Sequence, residues 1–421
     1  MKSTYLLILL GLIFLFSFNY CNNISKKKVL EDFKNINPAQ FESEDMKELV
    51  LLENTPIKIQ IPDWEKEQQL KLSTLFDSIE YVKLSNLPKA IIGDINKIVV
   101  QDSCLYILDR YKTKSIKKFS REGEYLATIG NQGQGPKEYI EPTDFIVYDN
   151  EIIVCDQFKS DLKFYDTSGN FKYAKRAPFL FLKFAFLSSN QYVFNSFSRD
   201  GNAHLPSITD YQIFETDSTF KIDYRGFYKS KDKISNYILE NNFYPYREKV
   251  FFHPTYSDTI YLINKDHGMQ AEYILDFLNG KLPEYYFLQN NNKELMKIQD
   301  EGTYPLFSGN YVPTEDYLYF EYTTKKGLNH KVVYSKKTNK IICGSTVLND
   351  INYFFQYNNI RTSTEGNVLV GYMQSYPISD FFKNHSRSEW VDHIGEEYTR
   401  IAEGIKSEDN PIILFFKIKD F

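Results

Sequence analysis

Gly130, Gly133 and Gly135 lie within six residues, and Lys137 follows, in the stretch IGNQGQGPKEYIEPTDF (Ile129–Phe145). Glycines spaced this closely before a lysine could cradle a phosphate, with backbone amides and an ammonium around the anion. That chemistry needs a helix straight after the loop, because the helix N-terminus supplies the amides and the positive dipole. Here Pro136 comes next and TDFIVYD (Thr143–Asp149) reads as a strand. The GxxGxG spacing also fits neither the dinucleotide fingerprint nor the P-loop. The competing reading is a joint between two pieces of sheet, with glycines free to take positive φ and a proline stiffening the exit. The two are compatible if the joint rims a ligand site. Gln132, Gln134, Lys137 and Glu138 then form a candidate binding face. Tyr139, at its end, either stacks on a sugar ring or plugs the sheet interface.

Asp109 and Asp156 each close an apolar run, before RYKTK and QFKSD respectively. A repeated carboxylate could bind a cation or a sugar, or could cap a turn by accepting backbone N–H bonds. Repetition favours the cap, because a site needs unlike residues brought together. Lys112 and Lys159 follow at matched places and join the candidate binding face. HExxH, the GxSxG elbow and the EF-hand loop are absent, so no catalytic residue is assigned. The six His are scattered. Glu389, His393 and Glu396 or Glu397 come nearest to a metal-ligand set, on one face of an expected helix. They read as a solvated face, and neither a metal nor a cofactor is called for. Cys104, Cys155 and Cys343 show no CxxC spacing, and the first two sit in strand-like runs where Cys packs as a small hydrophobe.

The elements that must position these residues show in the composition and in a repeat. The 421 residues include 33 Tyr and 34 Phe against 2 Trp and 5 Met, a bias toward pleated, half-buried surfaces. The net charge of -5 gives no basic footprint and counts against nucleic acid. Asn96–Lys114 aligns with Thr143–Asp161 at an offset of 47, placing Asp109 on Asp156, Tyr111 on Phe158 and Lys112 on Lys159. Lys163–Arg176 aligns with Gln212–Arg225 at 49, and the strand–turn–strand outline recurs to a sixth copy near Asn358. Roughly four short alternating strands in each 40–50-residue unit are the signature of propeller blades. The fold class is therefore all-β: a six-bladed β-propeller with four-stranded antiparallel blades over residues 56–421. One chain closes the ring, which predicts a monomer.

The stretch GNQGQGPKEYIEPTDFIVYDNEIIVCDQFKSDLKFYD resembles an NHL- or TolB-like propeller repeat. With LFDSIEYVKL (Leu75–Leu84), HPTYSDTIYLI (His253–Ile263) and NPIILFFKIKDF (Asn410–Phe421), the chain resembles the six-bladed β-propeller lipoproteins of Bacteroides and relatives. The resemblance implies an address and an architecture, with no assigned activity. Ring closure requires that blade edges be latched. SIEYVKL and IILFFKIKDF are expected to complete the sixth blade, the N-terminal strand outermost. Helical inserts are expected near Leu282–Gln299 and over Ser386–Ile405, the second capped by Ser388 and carrying an apolar stripe of Trp390, Ile394, Tyr398 and Ile401.

Lys2 and the apolar run Tyr5–Phe18 read as a secretory signal, too short for a spanning helix. Cys21 and the polar NNISKKK follow, which resembles a bacterial lipoprotein signal and implies lipidation at Cys21. Phe18, Asn19 and Tyr20 stand where that signal usually has small residues, so an ordinary cleaved signal and an uncleaved anchor stay open. Residues 21–55 read as a tether. The expectation is an exported protein at the outer membrane, cell surface or periplasmic face. Its expected role is to bind a glycan, peptide or envelope protein. The alternative is a lactonase-, lyase- or glycosidase-like enzyme with its site in the central channel.

Overall fold

The computed structural model describes residues 33–421 apart from 63, 65, 67, 197–198, 231–241, 248, 255–256, 289–291, 325–327 and 352–358. The signal and Cys21 lie outside the described residues. Six four-stranded antiparallel blades form the ring. Blade 1 comprises Lys97–Gln101, Cys104–Asp109, Ser115–Ser120 and Tyr125–Ile129, from axis to rim. Blade 2 comprises Pro142–Tyr148, Glu151–Asp156, Asp161–Asp166 and Phe171–Arg176. Blade 3 starts at Phe181 and ends at Tyr228, blade 4 runs from Phe243 to Asp276, and blade 5 from Leu306 to Gly344.

Blade 6 mixes the two chain ends. Asn359–Thr364 and Val368–Met373 are followed by the C-terminal Ile412–Ile418, and Phe76–Lys83 is outermost. Ile412 pairs with Lys83 and Ile418 with Phe76. This is the expected latch, and it leaves no first or last blade with an open side.

Each blade buries one face against each neighbour, as a stacked sheet must. Ile129, Tyr139, Phe145 and Tyr165 fill the space between blades 1 and 2. Between blades 2 and 3 the filling is phenylalanine: Phe179 sits 4.7 Å from Phe214 and 4.9 Å from Phe194, edge-on to both. The Phe-rich composition is thus spent between blades, where wedge-shaped gaps suit large flat rings.

The turns joining the third and fourth strands repeat one device. Ser120, Asp166, Asp217 and Asn264 each accept from the amides two and four residues on. The residue between takes positive φ: Gly123, Gly169, Phe220 and His267. Asp217 therefore matches Asp166. The alignment at an offset of 49 places Glu215 there instead, two residues short, because residue identity changes while turn geometry is kept.

Residues 21–55 are not a free tether from Phe33 onward. Phe33 is buried and stacks on His204 with ring centroids 4.7 Å apart. Glu42–Glu48 pairs in parallel with the outermost strand of blade 3, and Val50–Leu51 with that of blade 4. Ile57–Gln60 continues along blade 4, with Ile59 and Ile61 buried, and Gln69–Lys71 pairs with Thr346–Leu348 beyond blade 5. The segment is a belt. It satisfies the outward N–H and C=O groups of rim strands, which otherwise stay open to other chains.

The inserts also differ in detail from expectation. The first is a 3-10 turn at Glu284–Phe287 followed by a helix over Asn292–Glu301. The second is two helices, Ser375–Asn384 and Arg387–Ala402. Ser386, not Ser388, caps the latter, in a reciprocal capping box with Glu389. The expected stripe faces inward, with Trp390 and Ile394 buried.

Candidate functional site

Connectivity gives the ring two unlike sides. Short hairpins such as Asp102-Ser103 and Asp149-Asn150 join first to second strands, both residues of each pair at positive φ as a type I′ turn requires. The opposite strand ends carry the links from second to third strand and from blade to blade. These are the long ones: 84–96, 130–141, 197–210, 277–305 and the helical 374–411. A rigid scaffold with variable loops on one side commonly carries its function there. Every sequence-derived binding candidate lies on that side.

The glycine-rich segment is the blade 1–blade 2 joint, and its polarity is opposite to a phosphate cradle. Its carbonyls point at a cation, the ammonium of Lys159, which donates to the carbonyl oxygens of Gln134 at 3.2 Å, Gly135 at 2.9 Å and Glu138 at 3.1 Å. Lys163 donates to the Pro136 carbonyl at 3.3 Å and the Tyr165 hydroxyl to that of Lys137 at 3.1 Å. The amide of Gly135 is taken by the carboxylate of Glu138 at 2.9 Å. Only Gly130 of the three uses positive φ. At Gly133 a Cβ would meet the Glu138 carboxylate at 1.9 Å, so that glycine makes room for a neighbouring side chain.

Tyr139 takes the second of its two roles. It is fully buried between blades 1 and 2, and its hydroxyl donates to the Ile129 carbonyl at 2.8 Å. It cannot stack on a sugar ring. Gln132, Gln134 and Lys137 are exposed on the joint, and Lys112 is exposed on the blade 1 link. The repeat thus gives two lysines different work: Lys159 is held by the joint, whereas Lys112 reaches solvent.

The paired aspartates are caps. Asp109 accepts from the amides of Gly93, Lys112 and Thr113 at 2.7, 2.9 and 3.0 Å. Asp156 accepts from Ile140 at 2.9 Å and Glu141 at 3.5 Å. The Asp109 carboxylate ties the link before blade 1 to the link within it, and the Asp156 carboxylate holds the link before blade 2 to the end of its own strand. Burial pushes the Asp156 carboxyl up from its ordinary value, opposed by those amides and by the ammoniums of Lys163 and Lys159.

The feature that sequence reasoning did not single out as a site is aromatic. Tyr111 and Phe158, matched in the repeat, are 58% and 48% exposed on the links within blades 1 and 2. Tyr285 and Tyr376, the latter 61% exposed, extend from the inserts of the same side, with Leu87 and Leu278. Among the described residues the short hairpins opposite expose no large apolar side chain. The signal was present in the alignment, where Tyr111 falls on Phe158, but exposure is invisible in a sequence.

One contact joins the innermost strands of two blades that are not neighbours. The Tyr244 hydroxyl, on the innermost strand of blade 4, reaches Thr362 Oγ1 at 3.0 Å and accepts from the Ser363 amide at 3.1 Å, both on the innermost strand of blade 6. Lys97 of blade 1 donates to Asp144 Oδ1 and to the Phe145 carbonyl of blade 2, each at 2.7 Å. Among the described residues no group of three or more His, Cys, Asp or Glu could hold a metal ion. Glu389 is taken up by its capping box, and Glu396 by Arg387 at 2.7 Å and Arg400 at 3.2 Å.

Fold and site define a six-bladed propeller with one aromatic, loop-bearing side. The chain belongs to the family described as a domain of unknown function, DUF4934, which it matches over residues 56–417. No curated protein matches it. Among solved structures it resembles a protein from Bacteroides fragilis described as exported, at 22% identity and a TM-score of 0.69, covering 87% of this chain and 100% of that one. A DUF4221 family member from Bacteroides vulgatus matches at 10% identity and a TM-score of 0.45, over 82% and 97% of the two chains. Virginiamycin B lyase from Staphylococcus aureus, solved with quinupristin, matches at 12% identity and 0.37, over 70% and 81%.

Proposed function

We propose that this chain is an exported binding module of the cell envelope, anchored through Cys21. Its loop-bearing side recognises a glycan, a peptide or a partner protein. The observation that carries the reading is that, among the described residues, four exposed aromatic side chains, Tyr111, Phe158, Tyr285 and Tyr376, stand on the links of this side, while Tyr173 and Tyr228 are exposed on rim strands. Exposed Tyr and Phe beside polar groups offer flat, rigid contact area at little cost in side-chain entropy. The leader, the signal-like start and the exported Bacteroides fragilis neighbour support the address. The eleven residues from Asn22 to Glu31 and Asp32 span at most about 40 Å between Cys21 and Phe33, which would keep the ring near its membrane.

The test is a binding screen of the purified protein against envelope and host glycans and against peptides, repeated on the Tyr111→Ala/Phe158→Ala double variant. A matching Leu126→Ala/Tyr173→Ala variant, altered on outer strands, serves as control. The expected result is at least tenfold weaker binding for the first variant, with thermal stability and control affinity unchanged. Equal loss in both variants, or none in the first, would place the ligand elsewhere.

A further inference from the structure

The belt adds its strands to the ring in one way. Glu42–Glu48 lies along the outermost strand of blade 3, Val50–Leu51 and Ile57–Gln60 along that of blade 4, and Gln69–Lys71 along Thr346–Leu348, every pairing parallel. It stops one blade short of blade 2. Ile36, Phe41 and Met46 pack against the core between blades 2 and 3, but strand pairing starts at Glu42, on blade 3. The outermost strand of blade 2, Phe171–Arg176, pairs inward with Asp161–Asp166, and among the described residues no strand pairs with its outer side. Alternate N–H and C=O groups of such a strand face outward, ready to template another chain.

Blade 1 is unpaired on its outer side as well, but the link before it lies against its rim. The Ser85 amide donates to the Gly123 carbonyl at 2.8 Å, and Lys89 Nζ is 4.9 Å from the centre of the Tyr125 ring. Blade 2 also differs in charge. Its rim strand, FKYAKR, carries Lys172, Lys175 and Arg176 and no acidic residue, which is true of no other rim strand in the ring. Lys172 pairs with Glu151, and Lys175 donates to the Ser218 carbonyl at 3.2 Å. Arg176 is exposed and, among the described residues, has no ion-pair partner.

Cations on an edge strand select what can pair with it. They repel a like edge, so a second copy laid edge to edge would set cation against cation. They do not repel an acidic strand. The belt shows that match on the next blade: ESEDMKE, with four carboxylates and one lysine, covers the rim of blade 3. There Lys221 Nζ donates to the Glu42 carbonyl at 2.7 Å, and the Glu48 carboxylate lies 3.8 Å from Arg225 and accepts from the Tyr211 hydroxyl at 2.7 Å.

We propose that the outer edge of blade 2 is a docking site for an acidic, extended segment of a partner protein, which adds to Phe171–Arg176 as a fifth, parallel strand. The added strand continues the belt's arrangement by one blade. Main-chain bonds hold it, and the three cations choose its charge. This surface is on the rim of the ring, apart from the loop-bearing side.

The probe is a peptide of about ten residues alternating glutamate and valine, long enough to span the strand. One control peptide replaces glutamate by lysine, and another is N-methylated at alternate residues, which removes ladder donors and keeps the charge. Hydrogen exchange of the purified protein reads the site, because outward amides of an uncovered edge exchange fast. The acidic peptide is expected to slow exchange within Phe171–Arg176 roughly fivefold, and the two controls to leave it unchanged. In the Lys172→Glu/Arg176→Glu variant its Kd should rise about tenfold, with the melting temperature kept. An N-methylated peptide that binds as well as its parent would reduce the contact to charge attraction and overturn the strand pairing. Protection confined to other parts of the ring, or slow exchange of the whole strand before any peptide is added, would overturn the site. A dimer in light scattering that the double variant abolishes would overturn the partner, since a second copy would then be the occupant.

Discussion

At the scale of single residues, Lys159 shows how a loop that reads as a ligand cradle becomes part of the fold. Charge-assisted bonds to three carbonyls hold the joint against blade 2. Lys159→Met is expected to leave the melting temperature almost unchanged and to release the joint. Trypsin should then cut after Lys137 several-fold faster, as read by mass spectrometry of the fragments, and an unchanged cleavage rate would count against the cage. His253 makes a pH prediction. Its folded pKa of about 4 lies below the ordinary 6.5, so between these values the unfolded chain binds more protons. Stability from this group is complete above about pH 6.5 and lost as pH falls toward 4, by about 3 kcal/mol in all. Asp258 works in the opposite sense, since burial raises its pKa to about 6 and its contribution is lost as pH rises. The difference in unfolding free energy between the protein and His253→Phe isolates the histidine. That difference should shift by about 3 kcal/mol in the variant's favour from pH 7 to pH 4, and a flat difference would contradict the burial argument.

At the scale of elements, the turns separate two kinds of glycine requirement. Gly169 has φ +89, and a Cβ there would come within 2.3 Å of the Thr128 carbonyl on the preceding blade's rim strand. Gly395 has φ +82 inside the kinked helix Arg387–Ala402, with nothing within 4 Å of a Cβ. Gly395→Ala should therefore cost only the strain of a backbone conformation, φ 82 and ψ 163, that is essentially restricted to glycine, about 1–3 kcal/mol. Gly169→Ala adds a backbone clash and should cost roughly twice that or more, since the blade must shift to relieve it. Denaturant unfolding of the two variants decides it; equal losses would mean that the blade contact is soft. These turns were legible in part. Gly123 on Gly169 is plain in the repeat, whereas Phe220 and His267 hold the same positive-φ place without being glycines.

For the whole molecule, the strand Ile412–Ile418 and the belt make different predictions. Removing residues 411–421 strips blade 6 of its third strand, leaving Phe76–Lys83 without a partner and Val368–Met373 paired on one side only, and no cooperatively folded protein is expected. Starting the chain at Pro56 removes only the belt along blade 3 and the first of its strands on blade 4; the family match begins at that same residue. That protein is expected to keep the circular-dichroism spectrum of the ring, melt lower and self-associate through the uncovered rims, measured by light scattering. An unfolded product would instead make the belt part of the folding unit.

What the amino-acid sequence determined by itself is the local grammar: period-two strands, turn caps, six repeats and a split last blade. Those features depend on neighbouring residues or on copies that can be aligned, and they were readable for that reason. Tertiary structure alone decided what non-local pairing decides. The belt's charged Glu42–Glu48 carries no strand signature of its own and becomes a strand only because Ile222–Tyr228 offers an open parallel edge. Tyr139 and Tyr111 are alike as sequence, yet one is sealed between blades and the other left in solvent, because burial depends on which surface the ring brings against each side chain. Lys112 and Lys159 align in the repeat but part in the fold, since only the joint before blade 2 turns its carbonyls inward.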